Sequence, residues 1–391
     1  MRRARVGLVV VSAVLALVAA SPAAATSDKD DEQPAHGVVR LNQVQVLGTH
    51  NSYHVQQGPS FFELLSSFDD ELAASLEYTQ LPLDTQLATQ GIRQFELDVF
   101  TDPDGGLYAD PAGPRIVEAF GRPPDPANDP TGALEAPGLK VLHVQDIDYR
   151  STCLTLVACL QTIKRWSDAN PKHLPLMILL ELKDDPIPDS GFGFVVPRQF
   201  EAADVDAVDR EIRSVFSEQQ LLTPDDVRRN HETLEEAVLS QGWPKLKHAS
   251  GKVLFALDNE GQEKSLYLDG HPSLRGRVLF TSSRPGAPEA AFVKLNDPIG
   301  DGALIRDLVS RGYIVRTRAD ADTAQARTGD TTQRDAALAS GAQFVSTDYP
   351  VPNPAFGTGY FVAIPGDGVA RCNPVNSPRH CRDRRLERLH P

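Results

Sequence analysis

Four apolar runs of strand length, each running straight into a polar block, constrain this chain more than any other feature. Residues 44–47 lead into Gly48-Thr49-His50-Asn51, residues 92–95 into Glu96-Leu97-Asp98, residues 139–142 into His143, and residues 176–180 into Glu181. Short continuous apolar runs are the signature of parallel strands buried on both faces. Further runs of this kind lie at 253–257, 278–281, 291–295, 313–316 and 344–346. Helical spacing fills the gaps at 61–76, 83–90, 154–169, 199–218, 231–240, 304–310 and 332–339. Strands alternating with helices build a parallel α/β sheet, and closure near eight strands makes it a (β/α)8 TIM barrel. The ends of its strands then project into one mouth, so polar blocks far apart in sequence meet in one site.

The chain of 391 residues opens with Arg2, Arg3 and Arg5, an apolar stretch over 6–20 and a small-residue exit at Ala23-Ala24-Ala25. That is the layout of a secretory signal peptide over residues 1–25, and its apolar part is too short for a membrane span. A flexible segment over 26–40, a catalytic barrel over 41–350 and a tail over 351–391 complete the expected organisation. The formal charge of −14 becomes more negative by three once the leader arginines are removed. Nucleic acid is therefore not an expected partner, because its affinity rests on phosphate neutralisation by Lys and Arg. Four cysteines in an exported chain favour two disulfides, and Cys153 with Cys159 and Cys372 with Cys381 close the shortest loops. Residues 102–138 and 184–198 are dense in Pro, Gly and Asp and are read as long loops on the strand-exit side, the first helping to wall the mouth. The arginines of the tail are expected to be solvated or to touch anionic lipid.

Asn51, Glu96, Asp98 and Glu181 offer only oxygen, which suits Ca²⁺ or Mg²⁺ and not Zn²⁺. Glu96 and Asp98 are two apart on a strand and share one face. Two carboxylates side by side in a barrel lumen call for a cation, either a metal ion or a partner such as Arg93 or Lys183. His50 and His143 end two different strands beside this acidic set. One protonated imidazole there would stabilise a phosphorane while the other gives a proton to a leaving alkoxide. His54 lies past the strand end and is read as a loop-surface residue.

These residues resemble the catalytic barrel of the calcium-dependent phosphoinositide-specific phospholipases C. The strings LGTHNSYH, GIRQFELDVF, VLHVQDIDYRSTC and WSDANPKHLPLMILLELKDD are most similar to its secreted bacterial and fungal branch. The resemblance implies a PLC-like phosphodiesterase TIM barrel with long insertions on the catalytic face. It implies that His50 stabilises the pentavalent phosphate, that His143 protonates the diacylglycerol leaving group, and that Asn51, Glu96, Asp98 and Glu181 hold Ca²⁺. It implies attack by the inositol 2-hydroxyl, a cyclic product, and a phospholipid membrane surface as the substrate of a monomeric enzyme. Lys183, Arg316 and Arg318 are candidate phosphate or headgroup contacts. Each is equally open to a structural role, Lys183 balancing Glu181 and the arginines pairing with Asp320 or Asp348.

The spacing from Asp98 to His143 exceeds that of the eukaryotic relatives. The strings YIVRTRADADT and GAQFVSTDYP are closer to glycerophosphodiester phosphodiesterases, which makes a hydrolase of soluble phosphodiesters the second reading. The usual His-Arg-Gly of that family is replaced here by His50-Asn51-Ser52. A non-catalytic secreted calcium-binding barrel is the third reading, and it leaves the two histidines without a purpose.

Overall fold

The computed structural model describes residues 38–189, 191–366 and 368–387; the signal peptide and most of the segment over 26–40 lie outside the described residues. Ten strands form one sheet: β1 (Val44–Thr49), β2 (Gln94–Phe100), β3 (Lys140–Val141), β4 (Leu176–Leu182), β5 (Val253–Leu257), β6 (Leu279–Thr281), β7 (Phe292–Lys294), β8 (Ile314–Arg318), β9 (Phe344–Thr347) and β10 (Ala370–Cys372). Eight of them run parallel in the order β6-β5-β4-β2-β1-β9-β8-β7. A single parallel bridge, Ser282 to Phe292, joins β6 to β7 and brings the ring to closure. The apolar run of β4 is buried because helices cover its outer face while its inner face packs into the lumen. The helix Leu156–Ala169 shows how such a cover forms. Thr155 caps it by accepting the Ala158 N–H at 3.2 Å, and Leu156, Leu160 and Ile163 turn one stripe into the core.

The seam between β1 and β2 is the irregular part of the barrel. Only Gly48 pairs with Gln94 across it, so each strand keeps a free stretch of edge. Two antiparallel strands fill these edges. Val46 pairs with β9 on one side and with Ala370 of β10 on the other, at the N-terminal end of the barrel. Val99 pairs with β4 on one side and with Val141 of β3 on the other, at the mouth. The run at 139–142, expected as a parallel barrel strand, is thus a short antiparallel cap on β2. Its effect is to deliver His143 to the mouth from above the seam.

Two further expectations are corrected. The segment 102–138 contains the helix Ala112–Ala119, whose Pro114 and Gly113 hid its period; proline is tolerated in a first helical turn. Ile116 and Val117 pack with Phe61, Leu64 and Tyr149 in a small core separate from that of the barrel. The insertion therefore buttresses the helix Pro59–Phe68 from behind. The tail packs on the barrel through part of its length, while Arg379, Arg382 and Arg384 stay exposed as expected. Beyond β10, Glu387 makes a two-pronged ion pair with Arg93, which is 1% exposed at the start of β2. Arg371 is held by Gln45 Oε1 at 2.8 Å. Both disulfides, Cys153–Cys159 and Cys372–Cys381, are paired as the spacing suggested.

Arg93, a candidate partner for the Glu96 and Asp98 carboxylates on sequence, pairs instead with Glu387, away from the mouth. Glu387→Gln leaves it buried and uncompensated, so this variant should lose about 3 kcal/mol of stability, read as a lowered thermal midpoint. An unchanged midpoint would mean that the tail does not stabilise the barrel.

Candidate active site

Parallel register builds the acidic cluster. Glu96 and Asp98 face the lumen from β2, and pairing to β4 sets Asp98 directly beside Glu181. One oxygen from each of Glu96, Asp98 and Glu181 lies within 4.8 Å of the others. Both carboxylate oxygens of Asp98 are buried without a hydrogen-bond partner. Burial pushes the Asp98 carboxyl well above the usual range, Glu181 adds to the rise, and Lys183 opposes it. The Lys183 ammonium stands 3.7 Å from Asp98 and 3.5 Å from Glu181, too little positive charge for the cluster.

Asn51 occupies the turn after β1 at a φ of 41°, which asparagine tolerates. Its amide donates to the Tyr78 hydroxyl at 3.1 Å, and its own carbonyl oxygen is buried without a partner. Ser52 ties this turn to β2: its N–H donates to the Glu96 carbonyl at 2.9 Å and its hydroxyl accepts the Glu96 N–H at 2.9 Å. Buried, unpaired oxygens beside an under-neutralised carboxylate cluster are a donor set that fits a hard cation such as calcium.

His50, Asn51, His143 and Arg318 line a single cleft of about 230 Å³, walled by Leu72, Ser75 and Leu76. Residues 102–138 do not line it; they support its wall from behind. His50 Nδ1 is 2.8 Å from Asp348, and its Nε2 is 3.7 Å from Glu96. Burial and the Arg318 guanidinium hold this imidazole well below its ordinary range, Glu96 opposing. The charge on this ring is thus set by opposed neighbours, Arg318 disfavouring the cation and the carboxylates of Glu96 and Asp348 standing beside it. His143 Nδ1 is 2.7 Å from Asp148, which leaves Nε2 as its available nitrogen.

The three basic candidates part company. Arg318 lines the cleft, with one Nη 3.4 Å from Asp348 and its Nε donating to the Asp320 carbonyl. Lys183 belongs to the acidic cluster. Arg316 is 1% exposed and pairs with Glu96, Ser346 and Asn296, so it holds Glu96 in place. His54 is fully buried behind the cleft, contrary to the loop-surface expectation. Asp148 and Asp348, the carboxylates behind the two histidines, are site residues that the sequence does not mark. Asp348 stands in the Thr-Asp-Tyr-Pro string, where it reads as an arginine partner; nothing local marks Asp148, because the bond to His143 depends on the tight turn at 144–148.

The family model described as "Phosphoinositide phospholipase C, Ca2+-dependent" matches residues 39–374. No curated protein sequence matches the chain. Among solved structures, the fold is similar to that of a calcium-dependent phosphoinositol-specific phospholipase C from Pseudomonas sp. in its apo form. The two are 18% identical over 87% of this chain and 97% of that one, with a TM-score of 0.51. It is also similar to a calcium-dependent phosphatidylinositol-specific phospholipase C from Streptomyces antibioticus, at 17% identity, 82% and 97% coverage, and a TM-score of 0.50. Since the model spans nearly all the described residues, this chain belongs to the calcium-dependent phosphoinositide phospholipases C, phosphoric diester hydrolases that cleave phosphatidylinositol.

Proposed function

We propose that this protein is exported with loss of residues 1–25 and acts at phospholipid surfaces through a site made of His50 and His143 as catalytic side chains, with Asn51, Glu96, Asp98 and Glu181 as calcium ligands. The observation that carries this reading is the convergence of two carboxylate-backed imidazoles on one cleft beside a carboxylate cluster whose charge Lys183 balances only in part. When bound, calcium supplies positive charge to the phosphoryl oxygens and acidifies a coordinated hydroxyl.

The side chains supply the rest. Arg318 and His50 receive the phosphodiester, with Lys183 a further contact at the headgroup. An anion between Arg318 and His50 offsets the guanidinium's repulsion and favours the protonated ring, which steadies the pentavalent phosphate. Glu181, the most exposed of the cluster carboxylates, takes the proton of the inositol 2-hydroxyl. As the new P–O bond forms, the bond to the glycerol oxygen breaks and His143 gives its Nε2 proton to that oxygen. The products are diacylglycerol and a cyclic inositol phosphate. Arg316 keeps Glu96 oriented throughout.

Calcium at 100 times its Kd should stabilise the fold by about 2.7 kcal/mol, and Asp98→Asn should remove that gain in thermal unfolding. In chelator, the raised Asp98 carboxyl keeps a proton that the unfolded chain releases near pH 4. Its contribution is therefore full at low pH and lost as pH rises through the raised folded value. Wild type should lose stability relative to Asp98→Asn across that window; a difference independent of pH would contradict the uncompensated cluster.

His50→Ala and His143→Ala should each lower turnover of phosphatidylinositol vesicles by at least about 10²-fold while keeping the calcium-induced stabilisation. Phosphorus NMR reads both the rate and the cyclic product. Unchanged turnover in both variants, or a first product that is not cyclic, would sink the mechanism.

A further inference from the structure

Behind His143 lies a second imidazole that the mechanism above leaves unused. His54 is fully buried, stacked on the Tyr78 ring at 4.2 Å between centroids. Its Nε2 lies 2.8 and 3.0 Å from the two Asp148 oxygens, and its Nδ1 lies 3.0 Å from the Tyr78 carbonyl oxygen. The Tyr78 carbonyl only accepts, so Nδ1 carries a proton, and Nε2 shares a second proton with Asp148; with Asp148 ionised, both ring nitrogens are protonated and His54 is an imidazolium. Asp148 in turn receives His54, the Gln57 amide at 3.1 Å and His143 Nδ1 at 2.7 Å, with no exposure to water.

Two opposed influences act on Asp148. Burial pushes the carboxyl up, while the His54 charge and the imidazole hydrogen bonds hold it well below its ordinary range. We propose that His54 is a positioning residue for the known reaction: a fixed buried cation that keeps Asp148 ionised, so that His143 bears a proton on Nδ1 and can carry the second one on Nε2 that it delivers to the leaving oxygen. Without the cation, burial wins and Asp148 takes a proton. His143 then has no carboxylate to support its doubly protonated form. The inference rests on His143 being the proton donor, and the experiment separates the two claims.

Wild type, His143→Ala and His54→Gln are assayed in calcium on phosphatidylinositol, whose leaving group is an alkoxide, and on a nitrophenyl inositol phosphate, whose phenolate leaves without a proton. Glutamine can still donate to Asp148 but brings no charge. His143→Ala should lose at least about 10²-fold on the lipid and little on the aryl ester. His54→Gln should lose about tenfold on the lipid and less than about twofold on the aryl ester. Equal losses of His54→Gln on both substrates, or none on either, would overturn the inference while leaving His143 as the acid. Equal losses of His143→Ala on both would overturn the reading of His143 itself. Imidazole nitrogen NMR of the wild-type protein at pH 8 tests the charge without any variant: both His54 nitrogens should be protonated, and a neutral-tautomer pattern would refute the proposal.

Discussion

Negative charge without hydrogen bonds at the centre of the mouth is the constraint on which the rest of this site depends. Asp98 has no donor to either oxygen, and Glu181 is fixed beside it by strand register. Three neighbouring carboxylates are paired: Glu96 with Arg316, Asp348 with Arg318 and His50 Nδ1, Asp148 with His54 and His143. The Asp98–Glu181 centre thus stands among paired neighbours. A cation arriving there meets a single charge deficit, and Lys183 at 3.5 to 3.7 Å marks how far protein charge alone goes toward filling it. Buried ion pairs add little net stability against apolar replacements. Their use in this mouth is to fix where charge lies.

The seam between β1 and β2 explains how the histidines reach the same place. A regular barrel would pair these strands along their length and send β1 straight into its helix. Here the edges part after Gly48, where a Cβ would fall 1.8 Å from the Gln94 side chain. Ser52 then folds the exit of β1 back onto β2, and β3 takes the vacated edge. His50 and Asn51 stand on one side of the opening and His143 on the other. A departure from barrel regularity at one strand pair is what allows three polar blocks to face one cleft.

How much of this is legible in sequence follows from which interactions are local. The barrel strands announce themselves because continuous apolar runs are a one-dimensional signal, and Glu96 with Asp98 share a face by strand periodicity. The orientation of β3 is not visible, since a two-residue antiparallel cap and a parallel strand have the same apolar composition. The helix Ala112–Ala119 hides for the opposite reason: Pro and Gly in its first turn mimic a loop, while the contacts that stabilise it come from Phe61 and Leu64. Arg316 and Arg318 are two apart on one strand and indistinguishable by type. Only the burial of the first against Glu96 and the cleft position of the second separate a structural ion pair from a phosphate contact.

The two histidines share one construction. Each has Nδ1 on a buried carboxylate, and each carboxylate has a cation close by: Arg318 for His50, His54 for His143. The cations differ in kind because their surroundings differ. Arg318 keeps 14% of its side chain exposed and needs to be there for a substrate anion. His54 is fully buried, its ring stacked on Tyr78 and bonded to Asp148. The difference has a chemical consequence. Burial and a cation facing the cleft disfavour a charged His50 until an anion binds beside both, whereas a cation sealed behind Asp148 acts on His143 at all stages of the cycle. Binding and proton delivery are thus controlled by separate charges on opposite sides of the same cleft.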